Sequence, residues 1–397
     1  MSWPSMKICA TGVIPVISVL VLVLAACEPR ANAEEDAPAH EVETLAEVFD
    51  HPWGMAFLPG DGRLLVTERP GRLQLVDRES ASVQEVSGVP EVDARGQGGL
   101  LDVALHPEFE EVPWLYLTWA GRNDEGLTAT YLGRALLDLE VPALSDLEVL
   151  HVAGPHVDST AHYGSRIVFD EGNRLYVTVG DRGFKDFGPE HVSQDLTNYL
   201  GTTLRLNDDG SIPPDNPFVD DESARDAIYS YGHRNAQGMA IHPETGEVWQ
   251  NEHGERNGDE VNVIEAGGNY GWPIATYGVD YRTGAEIGVL PPEHPDTIDP
   301  VYYWDQGHPE GFPPSGFAFY DGEAFTQWQG DAFMGNLAHR YLGRFTVDGR
   351  EVEMAERLLD GQGWRIRDVA VGPDNGFLYI LIDGSNVPLI RLRPAGG

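Results

Sequence analysis

The sequence is poor in cysteine and shows no helical patterning. Cys9 and Cys27 are its two cysteines in 397 residues, which excludes a disulfide-rich scaffold. No long stretch repeats apolar residues at the helical period, and this argues against a mainly helical protein. With 46 glycines and 28 prolines, the composition is typical of many short strands joined by turns.

Lysine is also nearly absent. Lys7 and Lys185 are the two lysines among 26 basic residues, which face 64 acidic ones. The formal net charge of −38 would repel nucleic acid and anionic lipid headgroups, so we expect no nucleic-acid partner. We interpret the charge as serving solubility, with salt screening the self-repulsion; attraction of a basic partner protein is the alternative.

The one long apolar run, VIPVISVLVLVLAAC at residues 13–27, lies where a signal peptide is expected and is short for a membrane span. Its end, Leu24-Ala25-Ala26-Cys27, is similar to a bacterial lipobox. This predicts a lipoprotein signal peptide over 1–26 and an exported, periplasmic or cell-envelope protein with a lipid anchor at Cys27. An ordinary signal peptide with an incidental cysteine is the alternative. Residues 27–45, acidic and rich in alanine and proline, predict a flexible tether.

One pattern occurs six times along the rest of the chain: a short apolar strand, a turn of glycine, proline or aspartate, and a second apolar strand. The copies begin at Trp53, Gly99, Gly164, Gln237, Ser315 and Ile366, with matching positions at Ala56, Ala104, Val168, Ala240, Ala318 and Val369. A single hairpin cannot bury both faces, whereas radial stacking of six sheets can. The pattern predicts an all-β fold, a six-bladed β-propeller formed by residues 46–397 as one domain. Two β-sandwiches are the alternative, but they do not explain six copies of one pattern.

Polar residues precede the inner strands of several copies, and in a propeller such positions meet at one mouth of the central channel. They are Gln97, His162, Arg234, Asn235, Arg365 and Arg367. Three guanidinium groups facing one cavity require an anionic guest, and a planar polycarboxylate fits because each arginine can fork onto a carboxylate. The alternative is that each arginine pairs with a nearby carboxylate such as Asp368.

An acidic, glycine-containing segment follows the fourth copy. It is NEHGERNGDEVNVIEAGGNYGWP, residues 251–273, with Glu252, Glu255, Asp259 and Glu260 around two glycines. Calcium takes oxygen ligands, including backbone carbonyls that irregular glycine loops expose. The spacing is not that of an EF-hand, and by itself the segment is better explained as an acidic loop in solvent.

Together these motifs resemble the soluble PQQ-dependent glucose dehydrogenase family, and in particular its aldose sugar dehydrogenase branch. The matching stretches are GQGGLLDVALHP, RLYVTVGDRG, LRLNDDGSIPPDNPF, YGHRNAQGMAIHP, GDEVNVIEAGGNYGWP, PSGFAFY and RIRDVAVGPD. The resemblance implies a six-bladed propeller that uses PQQ and calcium. It also implies oxidation of the anomeric hydroxyl of aldoses to lactones, with electrons passed to an external acceptor.

The resemblance further implies a role for each site residue. His162 matches the general base, for which a channel-lining histidine bonded to a carbonyl is the alternative. Arg234 matches the arginine beside the quinone carbonyls, where it would stabilise negative charge. The matches to PQQ contacts are Gln97, Asn235, Arg365 and Arg367. The matches to the calcium loop are the backbone carbonyls of Gly254 and Glu255 and, at its acidic and aromatic positions, Asp259, Glu260 and Tyr270.

Three positions depart from the family pattern. Ala338 or His339 stands where the family has a lysine near PQQ, with His339 or Arg340 as candidate replacements. Ala161 stands where an aspartate precedes the catalytic histidine, and Glu255 replaces a proline but keeps its carbonyl available. The first two changes predict an altered sugar pocket and broad aldose use.

Two other functions remain open at this stage. A non-catalytic propeller that binds a sugar or a protein is consistent with the missing lysine, but less so with the retained histidine and arginines. A calcium-dependent, lactonase-type propeller would need several carboxylates converging on one metal. The positions at the channel mouth offer arginine and glutamine instead.

Overall fold

The computed structural model describes residues 38–60, 62–308 and 311–396. Within them the chain forms six four-stranded antiparallel sheets arranged as a propeller, which confirms the predicted fold. No helix in these ranges is long and apolar enough to cross a membrane. The predicted signal peptide, the anchor at Cys27 and the tether as far as residue 37 lie outside the described residues.

The first strand, β1 (His40–Asp50), belongs to the last sheet, and the other strands follow chain order from the channel outwards. The first three sheets are β2 (Pro52–Phe57), β3 (Arg63–Glu68), β4 (Arg72–Asp77) and β5 (Val83–Val86); β6 (Leu100–Leu105), β7 (Trp114–Arg122), β8 (Thr128–Asp138) and β9 (Ala143–Val157); and β10 (Ile167–Phe169), β11 (Arg174–Val179), β12 (Thr202–Asn207) and β13 (Ile228–Tyr231).

The next two sheets are β14 (Ala236–Ile241), β15 (Val248–Glu252), β16 (Asp259–Ile264) and β17 (Tyr302–Trp304); and β18 (Pro314–Phe319), β19 (Ala332–Asn336), β20 (Tyr341–Asp348) and β21 (Glu351–Leu358). Short 3₁₀ helices lie in the connections at Val192–Gln194, Pro291–Glu293 and Thr326–Trp328. The outermost strands carry weaker apolar patterns than the inner ones: β21 alternates buried and exposed residues, as expected of a strand at a sheet edge.

The sixth sheet joins the two ends of the chain. Its inner strands are β22 (Ile366–Val371), β23 (Leu378–Ile382) and β24 (Ser385–Pro394), and β1 pairs antiparallel with β24 as the outermost strand. Ion pairs between Arg391 and Glu43 (2.9 Å) and between Arg393 and Glu41 (2.8 Å) cross this seam. The prediction of a tether up to residue 45 was therefore wrong for residues 40–45, which are ordered by pairing with β24.

Apolar side chains fill the space between each pair of neighbouring sheets. Six clusters of buried residues occupy these interfaces, and one of them joins the sixth sheet to the first through Phe49, Leu64 and Leu381. Each sheet buries both faces against its neighbours, which is the physical reason that one repeated hairpin yields a closed ring.

The six repeats correspond to the two innermost strands of the six sheets. In β2, β6, β14 and β22, four buried residues are followed by two half-buried ones. This common pattern places Ala370, not Val369, at the position of Ala56, Ala104 and Ala240, so the sequence alignment of the sixth repeat was one residue out of register. All six inner strands begin at the same mouth of the channel, where the polar residues lie.

Candidate active site

The segment His233-Arg234-Asn235 connects β13 to β14 at this mouth, and all three side chains are buried. Gly232 begins the turn with φ of 76°, and a Cβ there would lie 2.2 Å from Asn269 Oδ1, so only glycine fits. His233 is held between Glu252 Oε1 (2.8 Å) and Ser230 Oγ (2.8 Å). This histidine therefore anchors the turn, while its two neighbours are directed towards the channel.

The Arg234 guanidinium lies at the centre of a charged network. Its Nη2 donates to Glu255 Oε2 at 2.5 Å, its Nη1 donates to the His253 carbonyl at 3.3 Å, and the group lies 5.3 Å from the Trp272 ring centroid. Lys185 Nζ donates to Glu255 Oε1 at 2.6 Å, so one carboxylate is shared by two cations. Arg234 Nε is buried without a hydrogen-bond partner among the described residues.

His162 forms a pair with Asp181. Its Nδ1 lies 2.6 Å from Asp181 Oδ1, and that carboxylate also accepts hydrogen bonds from Trp272 Nε1 (2.9 Å) and from the Gly183 N–H (2.7 Å). His162 has φ of 48°, a left-handed conformation that is strained for a residue with a side chain. Because Nδ1 carries the hydrogen that is donated to the carboxylate, Nε2 is the nitrogen that can accept a proton.

The electrostatics of this pair favour a neutral imidazole and an ionised carboxylate. Burial lowers the pKa of His162 below its usual 6.5, and the positive charge of Arg234 adds to this against the effect of Asp181. Burial opposes ionisation of Asp181, but the charge and hydrogen bond of His162 outweigh it and hold the pKa of Asp181 at about 2. At neutral pH the pair is thus poised as a base with an anionic support.

Gln97 and Asn235 position the segment that carries His162. Gln97 Oε1 accepts the His162 N–H at 2.8 Å, and Asn235 Oδ1 accepts the Gly164 N–H at 3.2 Å. The Asn235 amide nitrogen is buried and has no partner in the part of the chain that the structure describes. It remains as a donor that a ligand in the mouth can satisfy.

A cavity of about 250 Å³ opens beside this network. Its charged lining is Arg69, Arg365, Arg367 and Asp383, and its other lining residues include Gln97, Gln237 and Trp53. Arg365 Nε lies 3.0 Å and Arg367 Nη2 3.6 Å from the same oxygen of Asp383. Asp368 instead pairs with the buried Arg166 (3.1 Å). The alternative, that each arginine pairs with its own carboxylate, therefore holds only in part, because Arg365 and Arg367 share Asp383.

The segment predicted to bind calcium forms the loop between β15 and β16. Gly254 and Glu255 are both buried, and no hydrogen bond among the described residues is made to either carbonyl oxygen. Since buried carbonyls are normally paired, these two are candidate ligands for a cation. At Gly254 a Cβ would lie 2.2 Å from the Asn257 carbonyl oxygen, so the loop is too tight for a side chain.

The acidic and aromatic side chains of this loop have structural partners instead. Asp259 accepts hydrogen bonds from the N–H groups of Gly254 (3.1 Å) and Phe312 (2.9 Å). Tyr270 donates to the Val263 carbonyl at 2.6 Å and stacks on His233. Within the described ranges no group of three or more His, Cys, Asp or Glu side chains is placed to hold a metal. Asp259 and Tyr270 thus have structural hydrogen bonds, and their predicted place in a calcium site stays a prediction.

Glu260 is buried beside a second carboxylate. Burial raises its pKa well above 4.5, and the negative charge of Glu252 raises it further. Asn262 Nδ2 donates to Glu260 Oε2 at 3.3 Å and to Glu252 Oε1 at 3.2 Å. These contacts place the Glu260 side chain in the packing behind the loop, and its predicted part in a calcium site stays a prediction.

Sequence reasoning missed Asp181, Trp272 and Arg69. Asp181 lies in the stretch GDRG directly after β11, and Trp272 lies in NYGWP. Both stretches were recognised as motifs, but neither residue precedes an inner strand. A search at the ends of second strands, which return to the same mouth, would have found Asp181. Arg69 follows β3 in the same way.

The propeller and its site together define the class of protein. It is a six-bladed propeller that carries a histidine–carboxylate base beside a guanidinium-lined cavity at the mouth of its channel, as in an enzyme. A family model described as Glucose / Sorbosone dehydrogenase matches residues 49–391. The chain belongs to this family of oxidoreductases, which confirms the resemblance found in its motifs.

Individual relatives agree with this assignment. The chain is 39% identical over 360 residues to the aldose sugar dehydrogenase YliI of Escherichia coli (strain K12), covering 90% of this chain and 94% of that protein. It is similar to the structure of the soluble aldose sugar dehydrogenase from Escherichia coli in the apo-form, with a TM-score of 0.83, 37% identity, and coverage of 90% and 100% of the two chains. The PQQ-bound aldose sugar dehydrogenase from Streptomyces coelicolor matches with a TM-score of 0.72 and 28% identity, covering 90% and 99%.

Proposed function

We propose that this protein oxidises aldose sugars at the anomeric hydroxyl to lactones, with PQQ and calcium as cofactors and an external electron acceptor. The observation that carries the proposal is the placement of His162, a neutral base braced by Asp181, beside a cavity with more guanidinium groups than carboxylates. The PQQ-bound relative from Streptomyces coelicolor supports the choice of cofactor.

The residues at the mouth fit a planar polyanionic cofactor. Three buried donors lack partners among the described residues: Arg234 Nε, Arg367 Nε and Asn235 Nδ2. An unsatisfied buried donor costs free energy, so these groups are expected to be satisfied by a ligand. Arg365 and Arg367 would hold carboxylates, and Arg234 and Asn235 would face the quinone end. When bound, PQQ supplies a quinone that accepts two electrons from the sugar.

His162 performs the proton transfer in this reaction. Its Nε2 takes the proton of the anomeric hydroxyl as the C1 hydrogen departs with its electron pair, and the C1–O bond becomes the lactone carbonyl. Asp181 holds the imidazole through Nδ1 and stabilises the imidazolium that results. Because Asp181 is buried and ionised, its charge acts in a medium that screens it less than water does.

Calcium would bind at the carbonyl oxygens of Gly254 and Glu255. Both lie in the loop that also carries the Glu255 carboxylate, the partner of Arg234. A cation held there would sit next to the arginine that faces the quinone, and both would favour negative charge on the cofactor oxygens. We further propose export of the protein and a lipid anchor at Cys27.

Dye-linked aldose oxidation tests the proposal. The purified chain, freed of cofactors with a chelator, is assayed with PQQ and calcium together, with each alone and with neither. Activity is expected only with both. His162→Ala should abolish it, whereas His40→Ala, on the outermost strand of the sixth sheet at the end opposite the mouth, should not. PQQ binding without oxidation of any aldose would point to another alcohol substrate, and absence of PQQ binding would leave the non-catalytic propeller.

A further inference from the structure

The cavity beside His162 contains a cation that no motif predicted. Arg69 lies in the turn between β3 and β4 of the first sheet and lines the cavity together with Arg365 and Arg367 of the sixth. Three guanidinium groups therefore meet one carboxylate, Asp383. Arg367 is buried, while Arg69 and Arg365 are partly exposed. In a chain with a formal net charge of −38, this surplus of positive charge around one cavity points to an anionic occupant.

The side chain of Arg69 is fixed by the neighbouring sheet. Its Nε donates to the Gly98 carbonyl at 3.0 Å, and its Nη2 donates to the Gly96 carbonyl. The Leu100 N–H in turn donates to the Arg69 carbonyl at 3.2 Å. Nη1, which makes none of these bonds, remains as the nitrogen that can serve a ligand. Gln97 lies between these two glycines, so Arg69 also stabilises the loop whose Gln97 side chain binds the His162 backbone.

The charges in the cavity act on one another. Burial lowers the pKa of Arg367 to about 10; Asp383 opposes this, while the positive charges of Arg69 and Arg365 add to it. Burial also lowers the pKa of Arg69, again against Asp383. A ligand carboxylate placed among these guanidiniums would relieve the repulsion between them.

Among the residues that the structure describes, the fifth sheet contributes no cation to the cavity. Its lining residues there are Leu337 and Ala338, at the position where the resemblance implies a lysine near PQQ. On the basis of the proposed function, we propose that Arg69 binds a carboxylate of the cofactor and replaces, from the opposite side of the cavity, the cation that the fifth sheet lacks. Arg69 is thus a cofactor-binding residue specific to this arrangement of the mouth.

Titration of the apo-protein with PQQ tests the inference without recourse to activity. Binding is followed by quenching of tryptophan fluorescence, since Trp53 lines the cavity, and by the quinone absorbance. Arg69→Gln is expected to weaken binding by about 10- to 100-fold, the effect of removing one charged hydrogen bond. Arg350→Gln, in the turn between β20 and β21 of the fifth sheet and outside the cavity lining, is the matched control and should stay within about twofold of the unaltered chain.

A third variant separates charge from bracing. Arg69→Lys loses the contacts to both carbonyls but keeps the positive charge. Because the charge is kept, this variant should recover most of the affinity for PQQ that Arg69→Gln loses. Equal weakening in Arg69→Gln and Arg69→Lys would mean that Arg69 only supports the Gln97 loop, and would overturn the inference. Unchanged binding by Arg69→Gln would overturn it as well, and so would weakening by Arg340→Gln alone, because Arg340 is the candidate replacement for the lysine in the fifth sheet. If the unaltered chain does not bind PQQ, the proposed function itself fails; the other outcomes leave it standing.

Discussion

Replacing Asp181 by asparagine is the sharpest test of the base at the channel mouth. The substitution keeps the size of the side chain and removes the charge that lies next to His162 Nδ1. An amide can also present its NH₂ group to Nδ1, which would favour the wrong tautomer. The Gly183 N–H donates to Oδ1 of Asp181 and Trp272 Nε1 donates to Oδ2, so the single amide oxygen of asparagine can retain one of these two hydrogen bonds.

The size of the effect follows from the charge on the imidazolium. Charge centres about 4 Å apart interact by about 4 kcal/mol at an effective dielectric constant near 20. Since 1.36 kcal/mol is a factor of ten in rate, kcat should fall by about 10²- to 10³-fold. The nearest other charges, Arg234 and Lys185, are positive and cannot substitute.

The assay is dye-linked aldose oxidation at saturating PQQ and calcium, with the PQQ dissociation constant measured in parallel. Asp181 does not line the cavity, so cofactor affinity should change little. Asp186→Asn, an exposed carboxylate on the same loop, is the matched control and should keep full activity. A kcat for Asp181→Asn within about threefold of the unaltered enzyme would refute the role assigned to the pair.

Three further predictions concern pH, stability and calcium. Because the pKa of His162 lies below 6.5 and the base must be neutral, kcat/KM should fall only as pH drops below that value; an acid limb centred above 6.5 would contradict this. Arg166→Met should destabilise the fold by about 3–5 kcal/mol in denaturant titrations, because it leaves the buried carboxylates of Asp102 and Asp368 without their cation. The surface change Arg174→Met should leave the denaturation midpoint unchanged. Glu255→Gln keeps the backbone carbonyl, so the calcium concentration for half-maximal activity should change by less than about threefold; a tenfold rise would mean that the carboxylate is a ligand.

The inner half of the propeller could be predicted from the sequence because its signal is local. Each repeat contains two adjacent strands and the turn between them, and burial on both faces makes both strands apolar. Strand β1 was missed because its partner, β24, is more than 300 residues away in the chain. Its own sequence, HEVETLAEVFD, has four acidic residues among its 11 and does not indicate the sheet edge that it completes.

The site residues likewise divide into those that the sequence pattern predicts and those that it does not. His162, Arg234 and Asn235 precede inner strands, and the repeat pattern alone brings them to one mouth. Asp181 and Arg69 follow the second strands of their sheets, a position that a search for polar residues before inner strands does not cover. Asp259 and Tyr270 matched the calcium loop by their positions in the sequence. Their hydrogen bonds to the backbone depend on the folded conformation of the chain after β15, which the sequence does not show.

The most direct test of the central claim is a single turnover. The protein loaded with PQQ and calcium is mixed with glucose, and then with other aldoses, in the absence of oxygen and of any electron acceptor, while the quinone absorbance is recorded. The account predicts that the absorbance bleaches and that one lactone forms for each bound PQQ, and that neither occurs in His162→Ala. Retention of the quinone spectrum with every aldose, in a protein that demonstrably holds PQQ, would contradict it.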